Sequence, residues 1–552
     1  MPLSLIVGPA NAGKVERLLA RYLAALDREP VLIVPNRSDV EQVERELLAR
    51  RGALLAGTIG TFDDLFERIA GDAAPALVTP AQRSLLVRRV LSGVSLNGLA
   101  ASSRFAGFAD ELIRTIGELE SGLVDPDGLD GGVAALYAAY RAELDRIGLW
   151  DRDLLRQRAA ERLRSDLAAW RGEPVFAYGF EDLTGAQWAL LEALAGRADV
   201  SVSLPYEPGR PAFASLRRTA EDLQRLAAGR IEELPASSTA HPALTHLERA
   251  LFSDASIPPV ASDGAVRFLE GAGTRGALEL VGEEVLRLLR AGTPAERIGL
   301  VAPNVERLRA PLETAFGTLG IPYALDGEVR FAQTPFGQAL TSLLRFVWLE
   351  GSRRELFTFL RSPFSGVERR AVDFVEGRLR GRAITAPDRV VEEGEKLHGR
   401  PFPALAELHE ADDPLDAVRT LAARILRNAY GVEHPPAGET SRLDLRSYQD
   451  VTRLLTQLER WRKLVGELSR EDIVTALERH ALRPYRGDEP GRVAVLDLGR
   501  ARTRRFDVVF VVGLEEGSLP RRGTASPFLD DDTRPRLDEQ GSRLERPDPV
   551  SR

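Results

Sequence analysis

The sharpest chemical signal lies in the first fourteen residues. Leu3 to Val7 is a short apolar run that reads as a strand. Gly8-Pro9-Ala10-Asn11-Ala12-Gly13-Lys14 follows at once, and a helical pattern runs from Val15 to Leu26. Strand, glycine-bounded loop, lysine and helix, with the spacing G-x-x-x-x-G-K, make a phosphate-binding loop. Its backbone N–H groups and the helix N-terminus cradle phosphate, and the lysine reaches the terminal phosphates. A Ser or Thr should follow the lysine to hold Mg²⁺, but Val15 has no hydroxyl. The candidate nucleotide-binding residues are therefore Gly8, Pro9, Ala10, Asn11, Ala12, Gly13, Lys14 and Val15, with Mg²⁺ left open. A glycine-rich turn that binds nothing is the plain alternative. Lysine usage speaks against it. Of 74 Lys and Arg residues only three are lysine, namely Lys14, Lys396 and Lys463. A planar guanidinium cannot replace a compact ammonium inside a tight loop.

Bulk composition bounds the rest. A chain of 552 residues holds about two to four domains. Apolar content of 44% and charged content of 28% are those of an ordinary globular protein. The chain has no cysteine, so it has no disulfide and no thiolate metal site, and six scattered histidines argue against zinc. No apolar run approaches the ~18 residues of a membrane span, and the N-terminus lacks signal-peptide features. The expected location is the cytoplasm, with no membrane partner. A net charge of −8 excludes a uniformly basic DNA-coating protein but leaves room for local basic patches.

The elements that must position the loop form a repeated pattern. Apolar strand runs at 30–35, 54–59, 174–178 and 200–205 alternate with helices. Ser38 is the expected cap of a helix through Leu48, and Thr61 opens another. Between Thr79 and about Leu167 the pattern is almost wholly helical, with turns near Asn97, at Asp125–Gly128 and at Gly131-Gly132. A Pro/Ser/Ala-rich linker lies at 234–242. A second unit is expected to start with a strand at 266–270, followed by a helix from Gly276 to Leu289, a strand at 298–302, a helix from Val305 to Leu319 and a short strand after Tyr323. A helical stretch from about Thr334 to Leu482 follows, and strands resume at 493–497 and 506–514. The expected fold is α/β, with two parallel sheets each interrupted by a helical insertion.

That order, with its motifs, resembles a superfamily-1 helicase of the UvrD/RecB type, and within it the AddB family, the B subunit of the AddAB helicase–nuclease, with related RecB-like nuclease-family proteins. The stretch Phe506-Asp-Val-Val-Phe-Val-Val-Gly-Leu-Glu-Glu-Gly-Ser-Leu-Pro520, with Val495–Arg502 before it, is similar to the family's stretch joining nucleotide and DNA contacts of the second motor domain. Val175–Thr184 with Gln187 sits where the family has its Walker B segment. Thr58–Phe66 resembles a DNA-contact motif of the first motor domain. Gly276–Glu279 through Val285, Ile298–Ala302 and Gly320–Tyr323 resemble the start of the second. The resemblance implies two RecA-like motor domains: 1–75 with 170–262, interrupted by a helical insertion at 76–169, and 263–340 with 490–552, interrupted at 341–489. It implies ATP as the nucleotide, DNA (a single strand or a duplex end) as substrate, an AddA-like motor protein as partner, and Thr61, Arg500, Arg502, Arg504 and Arg505 as DNA contacts.

The departures from the family pattern bear on activity. An active motor carries Asp-Glu at the end of its Walker B strand, for Mg²⁺ and for the attacking water. Here those places fall on Tyr178 and Gly179, with Glu181 and Asp182 beyond the turn. The arginine expected after the 298–302 strand falls near Pro303, and Arg505 replaces a ribose-contacting Glu. The chain begins at the loop strand, without the adenine-binding segment that normally precedes it. Losing one such hydrolytic group typically slows turnover by roughly 10²–10³. No catalytic residue and no metal site is assigned. The expected protein binds ATP without hydrolysing it, acts as a DNA-binding subunit of a bacterial helicase/exonuclease in recombinational double-strand-break repair, and stops at Arg552, a truncation before the last helicase motif and the nuclease domain. A competent UvrD-type translocase and a P-loop nucleotide kinase or regulatory NTPase are the alternatives. Two further readings stay open. Nine arginines between 353 and 389 are either a solvated helix face or a phosphate surface. Phe62 and Phe66, at helical spacing, are assigned to the core rather than to base stacking, and the pairs Asp110/Glu111 and Asp151/Asp153 to caps or surface charge.

Overall fold

The computed structural model describes residues 3–94, 99–236, 240–253, 257–402, 404–431, 438–483, 490–519, 526–529 and 532–544. The turn expected near Asn97, part of the 234–242 linker, Pro520 and the chain end at Arg552 lie outside the described residues. Among the described residues the strands are β1 (Ser4–Gly8), β2 (Val31–Ile33), β3 (Thr58–Gly60), β4 (Val175–Ala177), β5 (Val200–Pro205), β6 (Ile231–Glu233), β7 (Ile298–Ala302), β8 (Tyr323–Leu325), β9 (Val329–Arg330), β10 (Ala481–Leu482), β11 (Val493–Asp497) and β12 (Val508–Val511). They form a six-stranded sheet in the order β3-β2-β4-β5-β1-β6, a four-stranded sheet in the order β12-β7-β11-β8, and a β9–β10 pair. Every pairing in the two larger sheets is parallel. The α/β class with parallel sheets is thus as expected.

Strand alternation explains how the first sheet is covered. Leu5 and Val7, Val31 and Ile33, and Val175 and Ala177 join one core cluster; Ile6, Leu32 and Phe176 join another on the opposite face. Side chains two apart share a face, so each strand feeds both cores, and continuous apolar runs are what a doubly covered parallel sheet requires. Helices α1 (Lys14–Ala24) and α2 (Arg37–Arg51) cover the Ile6 face. Helices α3 (Phe62–Ala70), α7 (Arg152–Ser165), α8 (Gly185–Ala195) and α9 (Arg217–Ala227) cover the Leu5 face. Phe62 and Phe66 are buried there, which bears out their assignment to the core.

The remaining helices of the first sequence stretch are α4 (Pro80–Gly93), α5 (Ala106–Ser121), α6 (Gly131–Ile147) and α10 (Pro242–Ala250). Those of the second are α11 (Gly273–Arg290), α12 (Val305–Leu319), α13 (Pro335–Trp348), α14 (Arg353–Leu360), α15 (Arg369–Gly381), α16 (Pro387–His398), α17 (Leu405–Glu410), α18 (Pro414–Tyr430), α19 (Glu439–Val465), α20 (Arg470–Arg479), α21 (Leu498–Ala501) and α22 (Thr533–Glu539). Helices α11 and α12 pack on the second sheet. The helical stretches 78–154 and 329–482, far apart in sequence, share a single core that also takes Leu529, Leu537 and Leu544. Arg88 of α4 reaches Thr475 at 2.7 Å and Glu471 at 2.6 Å, both on α20, across that joint.

Three local expectations need correction. The helix expected to be capped by Ser38 is capped by Asn36, whose side chain accepts from the Asp39 N–H, so it begins at Arg37 and runs to Arg51. The strand expected at 54–59 forms only from Thr58 to Gly60; Leu55 is 96% exposed because no neighbouring strand pairs with Leu54–Gly57. The strand expected at 266–270 does not form, and Phe268 is 92% exposed. An apolar run is a strand only where a partner edge exists.

The shared helical core gives a prediction. Leu477 of α20 is fully buried in it. Leu477→Ala should cost about 2–5 kcal/mol in denaturant unfolding, and native-state hydrogen exchange should speed up in α4 as well as in α20. Faster exchange confined to α20 would mean that the two helical stretches are separate cores.

Candidate nucleotide site and the contact between the two sheets

All strands of the first sheet run the same way, so their C-terminal ends open onto one edge. Ligands in open α/β sheets bind at that edge. The Gly8–Lys14 loop leaves β1 there. Gly8 (φ 153°) passes so close to the Leu234 carbonyl that a Cβ on it would lie 2.7 Å from that oxygen; the position admits only glycine. Pro9 is buried, Ala10 and Asn11 are exposed, and Asn11 has φ 59°. The Ala12 N–H donates to the Pro9 carbonyl at 3.4 Å. Gly13 (φ 85°) precedes α1 and supplies no side-chain cap, so the first N–H groups of the helix have neither an intrahelical nor a side-chain acceptor. Val15 turns inward against the α1–α2 core.

Lys14 is buried, and its Nζ donates to the Gly8 carbonyl at 3.0 Å and to the Pro9 carbonyl. Burial lowers its pKa to about 8, against the opposing charges of Glu207 and Glu248. Those carboxylates were not among the residues singled out in the sequence. Glu207 follows β5, whose Pro205 is in register with Gly8, and the Tyr206 N–H donates to the Gly8 carbonyl at 3.1 Å. Arg249 pairs with Glu207 at 2.9 Å and Arg210 with Glu248 at 2.9 Å, which ties α10 beside the loop. Only the topology, which makes β5 the neighbour of β1, reveals them.

The end of β4 lies two strands away from β1. Strand alternation sends Tyr178 into the α1–α2 core, where burial and the nearby Asp39 charge raise its hydroxyl pKa. Gly179 has φ 85°, and a Cβ there would meet Pro35 Cγ at 2.9 Å. The acids beyond the turn are engaged elsewhere. Glu181 pairs with Arg502 at 2.9 Å. Asp182 accepts from its neighbour's N–H (Leu183, 2.8 Å) and from Thr219 Oγ1 at 3.1 Å. In the second sheet Pro303 follows β7, and Asn304 caps α12 by accepting from the Arg307 N–H at 2.9 Å.

The residues expected to contact DNA divide into three groups. Thr61 lies at the end of β3, with three strands between it and β1. Its N–H and hydroxyl donate to Asp64 at 2.7 and 2.9 Å, and the Asp64 N–H returns to Thr61 Oγ1 at 3.4 Å, so Thr61 is the cap of α3. Arg500 stays within the second sheet, donating to the Asp326 carbonyl and lying 3.4 Å from Asp497. The segment 502–505 crosses to the first sheet. Besides Arg502 on Glu181, Thr503 Oγ1 donates to Asp39 at 2.6 Å, and Arg504 donates to Gln42 at 3.3 Å and lies 3.9 Å from Asp39. Arg505 is exposed, and its charge adds to those that lower the Glu16 pKa, after the Arg50 hydrogen bond. Asp39, missed in the sequence, is buried. Its pKa is raised by that burial, against Thr503, Arg504 and Arg502.

Among the described residues one trio of carboxylates, Glu120, Asp151 and Asp153, lies close enough to share a cation. Guanidinium groups already serve it: Arg141 at 2.6 Å from Glu120, Arg83 at 3.5 Å from Asp151, and Arg156 at 2.7 Å from Asp153. Asp151 also caps α7 through the Leu154 N–H at 2.8 Å. The capping role expected for this pair is present, but Asp153 is buried rather than a surface charge.

No protein-family model matches the chain. Over nearly its whole length it is similar to proteins named as the B subunit of an ATP-dependent helicase/deoxyribonuclease. That of Desulforudis audaxviator is 26% identical over 96% of this chain and 54% of its own length. That of Pelotomaculum thermopropionicum is 25% identical over 99% of this chain and 54% of its own, and that of Heliobacterium modesticaldum 24% over 97% and 52%. The chain spans about half the length of the curated relatives it matches. No helix among the described residues is long and apolar enough to cross a membrane.

The lowered Lys14 pKa sets the sign of a pH effect. The ammonium is charged below about 8 and neutral above it, instead of keeping its charge to the ordinary 10.5. Affinity for a nucleoside triphosphate, followed by calorimetry, should be level below that point and fall by up to about tenfold per pH unit above it. In Lys14→Ala that fall should vanish; a fall that persists would assign it to another group.

Proposed function

We propose that the chain is a DNA-binding, helicase-fold subunit of an ATP-dependent helicase–nuclease of recombinational double-strand-break repair, and that its phosphate loop holds ATP without hydrolysing it. The observation that carries this reading is a retained loop and lysine beside a β4 end occupied by Tyr178 and Gly179. The loop's donors fit phosphate: main-chain N–H groups at a helix start and one buried ammonium. The donor set does not fit Mg²⁺. Val15 is apolar, and Glu181 and Asp182 already serve Arg502 and Thr219. ATP, when bound, would supply binding energy that favours one arrangement of the two sheets, because Thr503 and Arg504 of the second sheet lie against α2, the helix that follows β2.

The names of the relatives favour this reading over a nucleotide kinase, and they imply a partner protein. We assign the engine to that partner, an AddA-like motor, and the location to the cytoplasm. We assign 1–75 with 170–262 and 263–340 with 490–552 as RecA-like domains, with insertions at 76–169 and 341–489. For the 502–505 segment to hold DNA, Arg502 and Arg504 must first leave Glu181, Asp39 and Gln42.

The purified chain should bind labelled ATP yet show no DNA-stimulated ATPase. Lys14→Ala should weaken nucleotide binding by roughly tenfold or more and leave the melting temperature of the unliganded protein nearly unchanged. DNA-stimulated turnover that Lys14→Ala removes would overturn the proposal and establish a working translocase.

A further inference from the structure

Helix α15 carries a surface that no internal contact explains. Its inner side is buried through Val372, Val375, Glu376 and Leu379. The Glu376 charge is met from within the protein by Arg361 and by Arg380, the latter at 2.7 Å. The outer side is different. Arg370, Phe374, Gly377 and Arg378 follow one another at i, i+4, i+7 and i+8 and therefore share a face. Phe374 is 51% exposed. The Arg378 guanidinium lies over its ring, 5.5 Å from the centroid. Among the described residues neither Arg370 nor Arg378 takes part in an ion pair, whereas Arg361, Arg369, Arg380, Arg382 and Arg389 nearby all do.

Gly377 adds a second feature. It sits inside the helix, where glycine is unfavourable, and a Cβ there would meet no atom within 4 Å. No neighbour inside the protein requires the missing side chain. The bare backbone is open to solvent on that face.

Charge decides which occupant fits. The chain as a whole carries −8, yet residues 368–382 hold five arginines against three acids, one of them the buried Glu376. A locally cationic face on an acidic protein selects a polyanion. The exposed ring selects one with flat faces to stack. A duplex keeps its bases stacked inside and offers Phe374 nothing, and an acidic peptide offers charge without a succession of rings. Single-stranded nucleic acid offers both, and basic side chains set around an aromatic platform are how such strands are held.

We propose that the outer face of α15 is a binding site for single-stranded nucleic acid. Phe374 stacks a base, and Arg370 and Arg378, about 12 Å apart along the helix, hold phosphates on either side of it. The missing side chain at Gly377 lets the strand lie close to the helix. The site is separate from the Gly8–Lys14 loop and does not depend on whether that loop holds nucleotide. It turns one of the two readings of the arginine-rich 353–389 stretch into a defined surface.

Fluorescence anisotropy of labelled oligothymidine tests it, with the whole chain at low salt. Phe374→Ala should weaken binding about tenfold. Phe374→Tyr, which keeps the ring, should bind as the parent does. The double variant Arg370→Ala/Arg378→Ala should reduce the slope of log K against log salt by roughly 1.4. All three side chains are exposed, so the variants should melt with the parent protein, and Lys396→Ala, set beside Arg370→Ala alone, serves as a control of equal charge loss elsewhere. Binding unchanged in Phe374→Ala, or weakened as much by Lys396→Ala as by loss of one of these arginines, would overturn the proposal. So would failure of the parent protein to bind, and so would displacement of the oligonucleotide by polyglutamate at equal charge.

Discussion

Where the two sheets face each other, the Asp39 carboxylate is buried between its own helix and the 502–505 segment of the other sheet, taking the Thr503 hydroxyl at 2.6 Å. A buried carboxylate is tolerated only when its charge and lone pairs are served. Here the partners come from a segment more than 460 residues away in sequence. Thr503 and Arg504 can serve Asp39 only if β11 delivers them to the C-terminal edge of the first sheet. The same contact brings Arg502 to Glu181. The C-terminal edge of the first sheet is in this way tied to how the two sheets meet. Removing one partner of such a group is more damaging than the pair's net worth suggests, because the other charge stays buried.

The helical stretches make the same point by other means. Each emerges from a different sheet, and neither closes its own core. Leu86 and Leu112 from one stretch and Phe336, Leu455 and Leu477 from the other belong to a continuous apolar interior. At its edge lies the trio Glu120, Asp151 and Asp153, where guanidinium groups do what a cation would do elsewhere. Burial and the Asp151 charge push Glu120 well above the ordinary carboxylate range. Burial also acts against Asp151, but Arg83, the Tyr140 hydroxyl and the Leu154 N–H outweigh it and hold that group below its ordinary value. Two neighbouring acids thus have opposite tendencies: both meet arginine, but only Asp151 also accepts from the Tyr140 hydroxyl and from an N–H at a helix start.

The phosphate loop and the outer face of α15 stand in contrast. At the loop the cation is buried, single and held by main-chain carbonyls, which suits a compact polyphosphate of fixed shape. On α15 the cations are exposed, spaced along a helix and interleaved with a ring, which suits a flexible chain. Both are proposed anion sites on a protein that is acidic overall, and each is read from local arrangement rather than from net charge.

Read without coordinates, the chain already specifies the loop, the α/β alternation, the core role of Phe62 and Phe66 and the helical stretches. Each of these depends on spacing within one element, which periodicity records. The failures are those in which a partner decides. Leu54–Gly57 and Val266–Glu270 have strand-like composition but no edge to pair with. Asn36 rather than Ser38 caps α2 because its backbone, not its residue type alone, has the extended conformation a cap needs. The site divides the same way. Gly8, Gly13 and Lys14 are visible as a motif, because a tight loop needs those residues in that order. Glu207, Glu248 and Asp39 are invisible, because their roles arise from the order β4-β5-β1-β6 and from the approach of the second sheet. So do the restraints on Arg502 and Arg504: the residue types say cation, and only the tertiary structure says which carboxylate each one meets.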